Sequence, residues 1–212
     1  MPNIKHFDTE ATLDTVVRLF WRNGMVATGI QDVVTATGLN RSSLYATFGG
    51  KQELYRAALQ RYADRLSRPR FRRVAEDGRG LPAVLDFFTE LIEATCHGEY
   101  ARWGCMVSNA HAGTESSDPE VRALLDRQYV ELRDSFHAAL TTAVRLDQLD
   151  PGVDPGAVAE ALALLTHGVN LRSRAGVDAR TLRGTVAATL DAIAGRGTAG
   201  ENFTADPPAP AG

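Results

Sequence analysis

Two cysteines in 212 residues, Cys96 and Cys105, are too few for a disulfide framework, so the fold must rest on its own apolar core. No uninterrupted apolar run approaches the roughly 18 residues that a membrane-crossing helix needs, and no membrane partner is expected. Lys5, Asp8 and Glu10 open the chain without an apolar leader segment, so the cytoplasm is the expected compartment. Standard zinc spacing is also missing. Cys96, His97, Cys105 and His111 match no tetrahedral pattern, and no metal is expected. Catalytic constellations are scarce as well. Cys105 with His97 or His111 is the one nucleophile–base set, the pairing a Cys/His hydrolase would need. No Asn or Asp completes a recognisable arrangement around it. Neither an enzyme nor a cofactor is expected.

What is present is an ordinary globular composition, 44% apolar and 23% charged, which excludes a disordered or fibrous chain. The net charge of −3 hides an asymmetry. Residues 1–80 hold 13 Lys and Arg against 8 Asp and Glu, a balance of +5, whereas residues 81–212 hold 10 against 18, a balance of −8. A basic first third on an acidic body suggests an anionic partner at one end. Much of the excess comes from "RLSRPRFRR" (65–73).

The apolar residues recur with helical spacing almost throughout. Leu13, Val16, Val17 and Phe20 form one face of a first helix that stops at Asn23-Gly24. Thr28 to Gln31 fits a capping box, with Thr28 capping a second helix and Gln31 reaching back. Gly38 ends that helix, Asn40 caps a third, and Leu44, Tyr45 and Phe48 run along it. Helix, Gly-containing turn, helix is the plan of the helix-turn-helix DNA reader. Arg41, Ser42 and Ser43 lie near the start of the second of these helices, where side chains reach base edges and amides face phosphate. A fourth helix, carrying Leu54, Tyr55, Ala58, Leu59 and Tyr62, fades near Pro69.

Leu19-Phe20, Gly24, Thr28, the stretch "TGLNRSSLYATF" (37–48) and Lys51 together resemble the N-terminal domain of TetR-family transcriptional regulators. The resemblance is close over residues 9–62 and implies an all-α chain. A helix-turn-helix domain (1–50) would carry a larger helical effector and dimerisation domain (51–194, with 51–68 as connecting helix), and the Gly, Pro and Ala-rich 195–212 reads as a disordered tail. Carried over residue by residue, it makes Tyr45 and Lys51 phosphate contacts. Thr28 would anchor the DNA backbone at the second helix, and Arg41, Ser42, Ser43 and Thr47 would face the groove. Ala46-Thr47 departs from the bulkier pair of many members, so the operator sequence does not follow. The implied protein is a one-component regulator, a repressor that a small-molecule effector releases from a palindromic duplex DNA operator.

Beyond residue 80, Leu81-Pro82, Asp118-Pro119, Asp154-Pro155 and Asp178 each mark a helix start. The last two helices are rich in Ala, Leu and Val, with Leu165 and Leu190 among them. By the resemblance, they form a homodimer as a four-helix bundle. The resemblance also implies an effector cavity between the middle helices. Phe88, Trp103, Met106, Asn109, Tyr129 and His167, with Phe87 and Phe136, have the apolar-with-anchors composition of such a lining. Finally, "GCMVSN" (104–109) is similar to a Gly-Cys segment in a subset of the family. There Cys105 would sense electrophiles or oxidants, a reading that competes with plain packing.

Overall fold

The computed structural model describes residues 7–194; the expected tail at 195–212 lies outside the described residues. Among the described residues the architecture is all-α, with one isolated β-bridge between Leu149 and Ala194. Three helices, α1 (Thr9–Asn23), α2 (Ile30–Thr37) and α3 (Arg41–Phe48), form the N-terminal unit, and α4 (Lys51–Tyr62) leads out of it. The larger unit holds α5 (Arg68–Glu76), α6 (Leu81–Cys96), α7 (Met106–Ala112), α8 (Pro119–Arg145), α9 (Pro155–Arg174) and α10 (Ala179–Ile193). None of the described helices is long and apolar enough to cross a membrane.

Cap chemistry explains most of the boundaries. Asp8 accepts from the amides of Glu10 and Ala11 at 2.9 and 3.1 Å, and Asn40 accepts from Ser43 at 2.8 Å. Asp118, Asp154 and Asp178 cap α8, α9 and α10, the first two followed by a proline whose missing N–H costs nothing there. Gly38, at φ 68° and ψ 10°, closes α2 in the left-handed conformation that turns the chain into α3.

Two boundaries differ from the sequence reading. The box at α2 sits one residue later: Gly29 is the cap residue, and its N–H donates to the Asp32 carboxylate at 2.7 Å. Thr28 is fully buried and its hydroxyl donates to the Gly24 carbonyl at 2.7 Å. The fourth helix does not fade near Pro69. A π-helical turn, Ala63–Ser67, joins α4 to α5, and the Arg68 amide reaches back five residues to Ala63. Pro69 falls in the first turn of α5, where no hydrogen-bond donor is required of it. The connecting helix therefore runs past residue 68 to Glu76.

The buried side chains form two clusters. The upper one gathers α5, α6 and α8–α10 around Phe88 and Phe136, whose rings stack at 5.7 Å. The lower one joins Val16, Phe20, Val33, Leu44 and Leu54 of the N-terminal helices to Met106 and Val107 of α7 and Val121 and Leu125 of α8. Each such fully buried side chain contributes roughly 1.5–3 kcal/mol, so the N-terminal helices are held to the larger unit by core packing. Trp21 marks the junction. Its indole N–H donates to the Gly104 carbonyl at 2.9 Å, and its ring packs on Tyr62, Tyr100 and Trp103.

Candidate nucleic-acid interface and effector cavity

Helix α3 is eight residues long and buries Leu44 against the lower core, with Leu39 and Phe48 packed beside it. That fixed inner face leaves Arg41, Ser42 and Thr47 exposed and Ser43, Tyr45 and Lys51 half-exposed. The Arg41 guanidinium lies over the Tyr45 ring at 5.1 Å and donates to its hydroxyl at 3.2 Å. The acids nearest this end are occupied as caps: Asp32 holds the Gly29 amide and Glu53 the Gly50 amide at 2.8 Å. Its own backbone N–H and that of Gly50 hold the Glu53 carboxyl below its usual range. The surface thus presents cations, hydroxyls and amides on a rigid short helix, the equipment for groove and phosphate contact. Thr28 is placed differently from the role the resemblance implies. Its side chain is buried in the turn before α2, so it fixes that turn and offers no hydroxyl to a DNA backbone.

The arginine-rich 65–73 stretch does not extend this cationic surface. Arg65 pairs with Glu10 and Asp14, Arg68 with Asp64 and Glu131, and Arg73 with Glu90. Neighbouring Arg61 is buried against the same two acids as Arg65. Its hydrogen bond to Asp14 holds that carboxyl below its ordinary value and the guanidinium above its own. Most of the positive excess read from the sequence is spent within the fold.

A cavity of about 180 Å³ opens where α4, the π-turn and α5 meet α6–α9. Its wall is mainly aromatic and aliphatic, with Trp21, Tyr62, Phe71, Phe87, Leu91 and Leu132. Tyr129 and His167 line it as expected; their rings stack at 5.8 Å, and the Tyr129 hydroxyl donates to Glu160 at 2.5 Å. Burial, with Glu160 alongside, pushes the Tyr129 phenol up to about 12. His167 Nδ1 lies 2.9 Å from the Ser108 hydroxyl. Burial and then the neighbouring His111 ring bring its pKa down from 6.5 to about 4, so it is neutral near pH 7.

Five other expected lining residues lie elsewhere. Phe88 and Phe136 stack in the upper core, while Phe87 reaches the cavity. Trp103 packs edge-to-face on Trp21 and carries the Arg22 guanidinium over its ring. Met106 is buried in the lower core, and the Asn109 side-chain amide is spent on the Trp103 carbonyl at 2.8 Å. The sequence reading passed over Gln128, Thr166 and Asn170, all buried on the cavity wall. Their signal was a polar residue standing on an apolar helical stripe: Gln128 falls between Leu124, Leu125 and Leu132.

Cys105 is half-buried on the same wall at the cap position of α7, beside Tyr62, and both cysteines are free. Burial and then Cys105 raise the Tyr62 phenol well above its ordinary value. His97 pairs with Glu93, and the His111 ring packs on His167 at 5.0 Å. Among the described residues, no three His, Cys, Asp or Glu side chains gather as a metal-holding group.

A helix-turn-helix unit with an exposed α3, cored together with a cavity-bearing helical body, is the architecture of a DNA-binding transcriptional regulator. Residues 13–58 match the description "Bacterial regulatory proteins, tetR family", and residues 80–189 match "Tetracyclin repressor-like, C-terminal domain". The chain belongs to the TetR family of transcriptional regulators. It is 27% identical to the HTH-type transcriptional repressor ComR of Escherichia coli K12 over 88% of this chain and 89% of that one. To the uncharacterized regulator YezE of Bacillus subtilis 168 it is 30% identical over 66% of this chain and 71% of that one. Among solved structures, a cysteine-substituted CifR complexed with 26-bp double-strand operator DNA superimposes with a TM-score of 0.77 at 25% identity, covering 90% of this chain and 99% of that one. The reduced form of E. coli NemR shares the fold, with a TM-score of 0.75 at 20% identity over 87% and 95%.

Proposed function

We propose that the protein is a homodimeric repressor that α3 seats on a palindromic DNA operator and that occupancy of the cavity releases. The observation that carries this reading is the shared lower core: Trp21 of α1 and Tyr62 of α4 belong both to the unit that presents α3 and to the cavity wall. A ligand that binds better to one arrangement of that junction than to the other shifts the spacing of two recognition helices. Cys105 enters this reading as wall, packed with Trp103 and the lower core. The larger unit supplies the cavity and the dimer face; residues 7–51 supply the DNA contacts.

Selection from random duplex DNA tests the interface. Tyr45→Ala and Lys51→Ala are expected to weaken binding to all sequences alike, because phosphate contacts position without specifying. Arg41→Ala is expected to cost about 1–3 kcal/mol and to relax preference at one base position. Unchanged affinity in all three variants would sink the assignment.

The dimer face is supported by α9. Ala157, Ala161, Leu164, Gly168 and Leu171 are exposed at helical spacing, with Leu164 59% and Leu171 39% accessible. On α10, Gly184 and Ala188 are exposed in the same way. Leu190 is fully buried within its own subunit and Leu165 packs on the same core, so substitutions there would test folding instead. Leu164→Arg with Leu171→Arg is expected to give a folded monomer, since a charge buried unpaired in an apolar interface costs several kcal/mol. Light scattering that finds an intact dimer would move the interface elsewhere.

A further inference from the structure

Three polar atoms buried on side chains of the cavity wall have no protein partner: Gln128 Oε1, Asn170 Oδ1 and His167 Nε2. Gln128 and Asn170 are 2% and 1% exposed. An unpaired buried acceptor is a standing cost, and native folds carry few of them. The orientation of both amides follows from chemistry. Gln128 Nε2 donates to the Glu131 carboxylate at 2.7 Å, and Glu131 is in turn gripped by Arg68 at 2.9 and 3.0 Å. Asn170 Nδ2 donates to the Thr166 carbonyl at 2.9 Å. A carboxylate and a carbonyl only accept, so each NH2 must face its partner, and each side-chain carbonyl is the end left over.

The rest of the wall narrows the occupant. It holds no carboxylate, and Arg70 is its one formal cation, without an ion pair among the described residues. His167 is neutral near pH 7. A cation would find no counter-charge and would meet Arg70; an anion would meet Arg70 but bring no donor to the two carbonyl oxygens. As to size, an apolar cavity of about 150 Å³ admits benzene, and this one measures about 180 Å³.

We propose that the cavity takes an uncharged molecule of about one aromatic ring whose hydroxyl or N–H donates to the side-chain carbonyl of Gln128 or Asn170. The proposal rests on the effector reading above, and it names the ligand class for that same site. Donor-free hydrocarbons of the same size would seal the two carbonyls away from any partner. Donor-bearing ligands satisfy at least one while the aromatic wall covers the ring.

Isothermal titration calorimetry of the full-length protein without DNA tests this, with phenol, anisole, benzoate and benzylamine as probes. Phenol is expected to bind about tenfold or more tighter than anisole, and tighter than either ion. Gln128→Leu, checked for native circular dichroism, should erase part of the phenol–anisole difference while anisole itself binds no worse. Equal affinity for phenol and anisole, tighter binding of benzoate or benzylamine, or no binding of any probe at millimolar concentration would each overturn the proposal. The wild-type comparison decides the matter even where the variant fails to fold. Phenol that binds as expected but leaves operator affinity unchanged would count against effector release and not against the ligand class.

Discussion

Trp21→Ala is expected to lower stability by about 3–5 kcal/mol and to blunt effector release more than operator affinity. The indole is 9% exposed and touches three other aromatic rings, with centroids 4.9–5.3 Å away. Truncation removes that aromatic packing, opens the cavity wall and strips the Gly104 carbonyl of its donor. Gly104 is 83 residues away along the chain, so the lost bond is a tie between the DNA-reading unit and the body. Trp21→Phe separates the contributions. It keeps a ring in place and loses the hydrogen bond, which should account for about 1–3 kcal/mol if Gly104 is left unpaired. Chemical denaturation of the three proteins measures both steps. An alanine variant within about 1 kcal/mol of wild type would mean that the units are joined elsewhere.

Gly80→Ala is the second large effect, about 3–5 kcal/mol when backbone strain and a backbone clash are combined. Gly80 precedes α6 at φ 74° and ψ −123°, a conformation that side chains rarely adopt. A Cβ there would stand 2.9 Å from the Ala143 Cα of α8 and would collide with Gln148 Oε1. Gln148 cannot simply swing aside. Its Oε1 accepts the Leu81 amide at 2.9 Å and its Nε2 donates to the Arg79 carbonyl at 3.0 Å, so it caps α6 from across the fold. Gly78, at φ 78° with open space where its Cβ would be, provides the control. Gly78→Ala should show the backbone cost alone, about 1–2 kcal/mol. Equal midpoints for the two variants in thermal unfolding would show that the Ala143 contact relaxes freely.

These two residues also show what a sequence can and cannot declare. Asn40, Asp118, Asp154 and Asp178 were legible as caps because a cap is a bond between residues two or three apart. Helix α3 was legible for the same reason, its inner Leu44 and outer Arg41 being set by local period. Gly80 announced nothing, because its obligation is to Ala143 and Gln148, more than sixty residues away. The cavity failed in the same manner. Phe87 and Phe88 are consecutive and chemically alike, yet they point about 100° apart on α6, one to the cavity and one to the core. Only the placement of α8 decides which is which. The basic stretch misled because charge counting ignores pairing, and Arg65, Arg68 and Arg73 find their acids on α1, α6 and α8 and in the π-turn.

The π-turn between α4 and α5 carries one residue more than an α-helix would need to cover the same length. Every single-residue deletion in a packed α-helix rotates all that follows by about 100° and carries its apolar stripe off the core. Within Ala63–Ser67 the outcome reverses. Removing one position there would restore i to i−4 bonding everywhere except at Pro69, which has no N–H, leaving Phe71 and Val74 in phase with Leu54, Tyr55 and Leu59 behind them. In the otherwise uninterrupted run from Lys51 to Glu76, this is the one place where chain length can vary without scrambling the faces on either side. A lineage that lost a residue there would keep the reach and roll of the rod linking cavity to DNA reader, with both ends keeping their own packing.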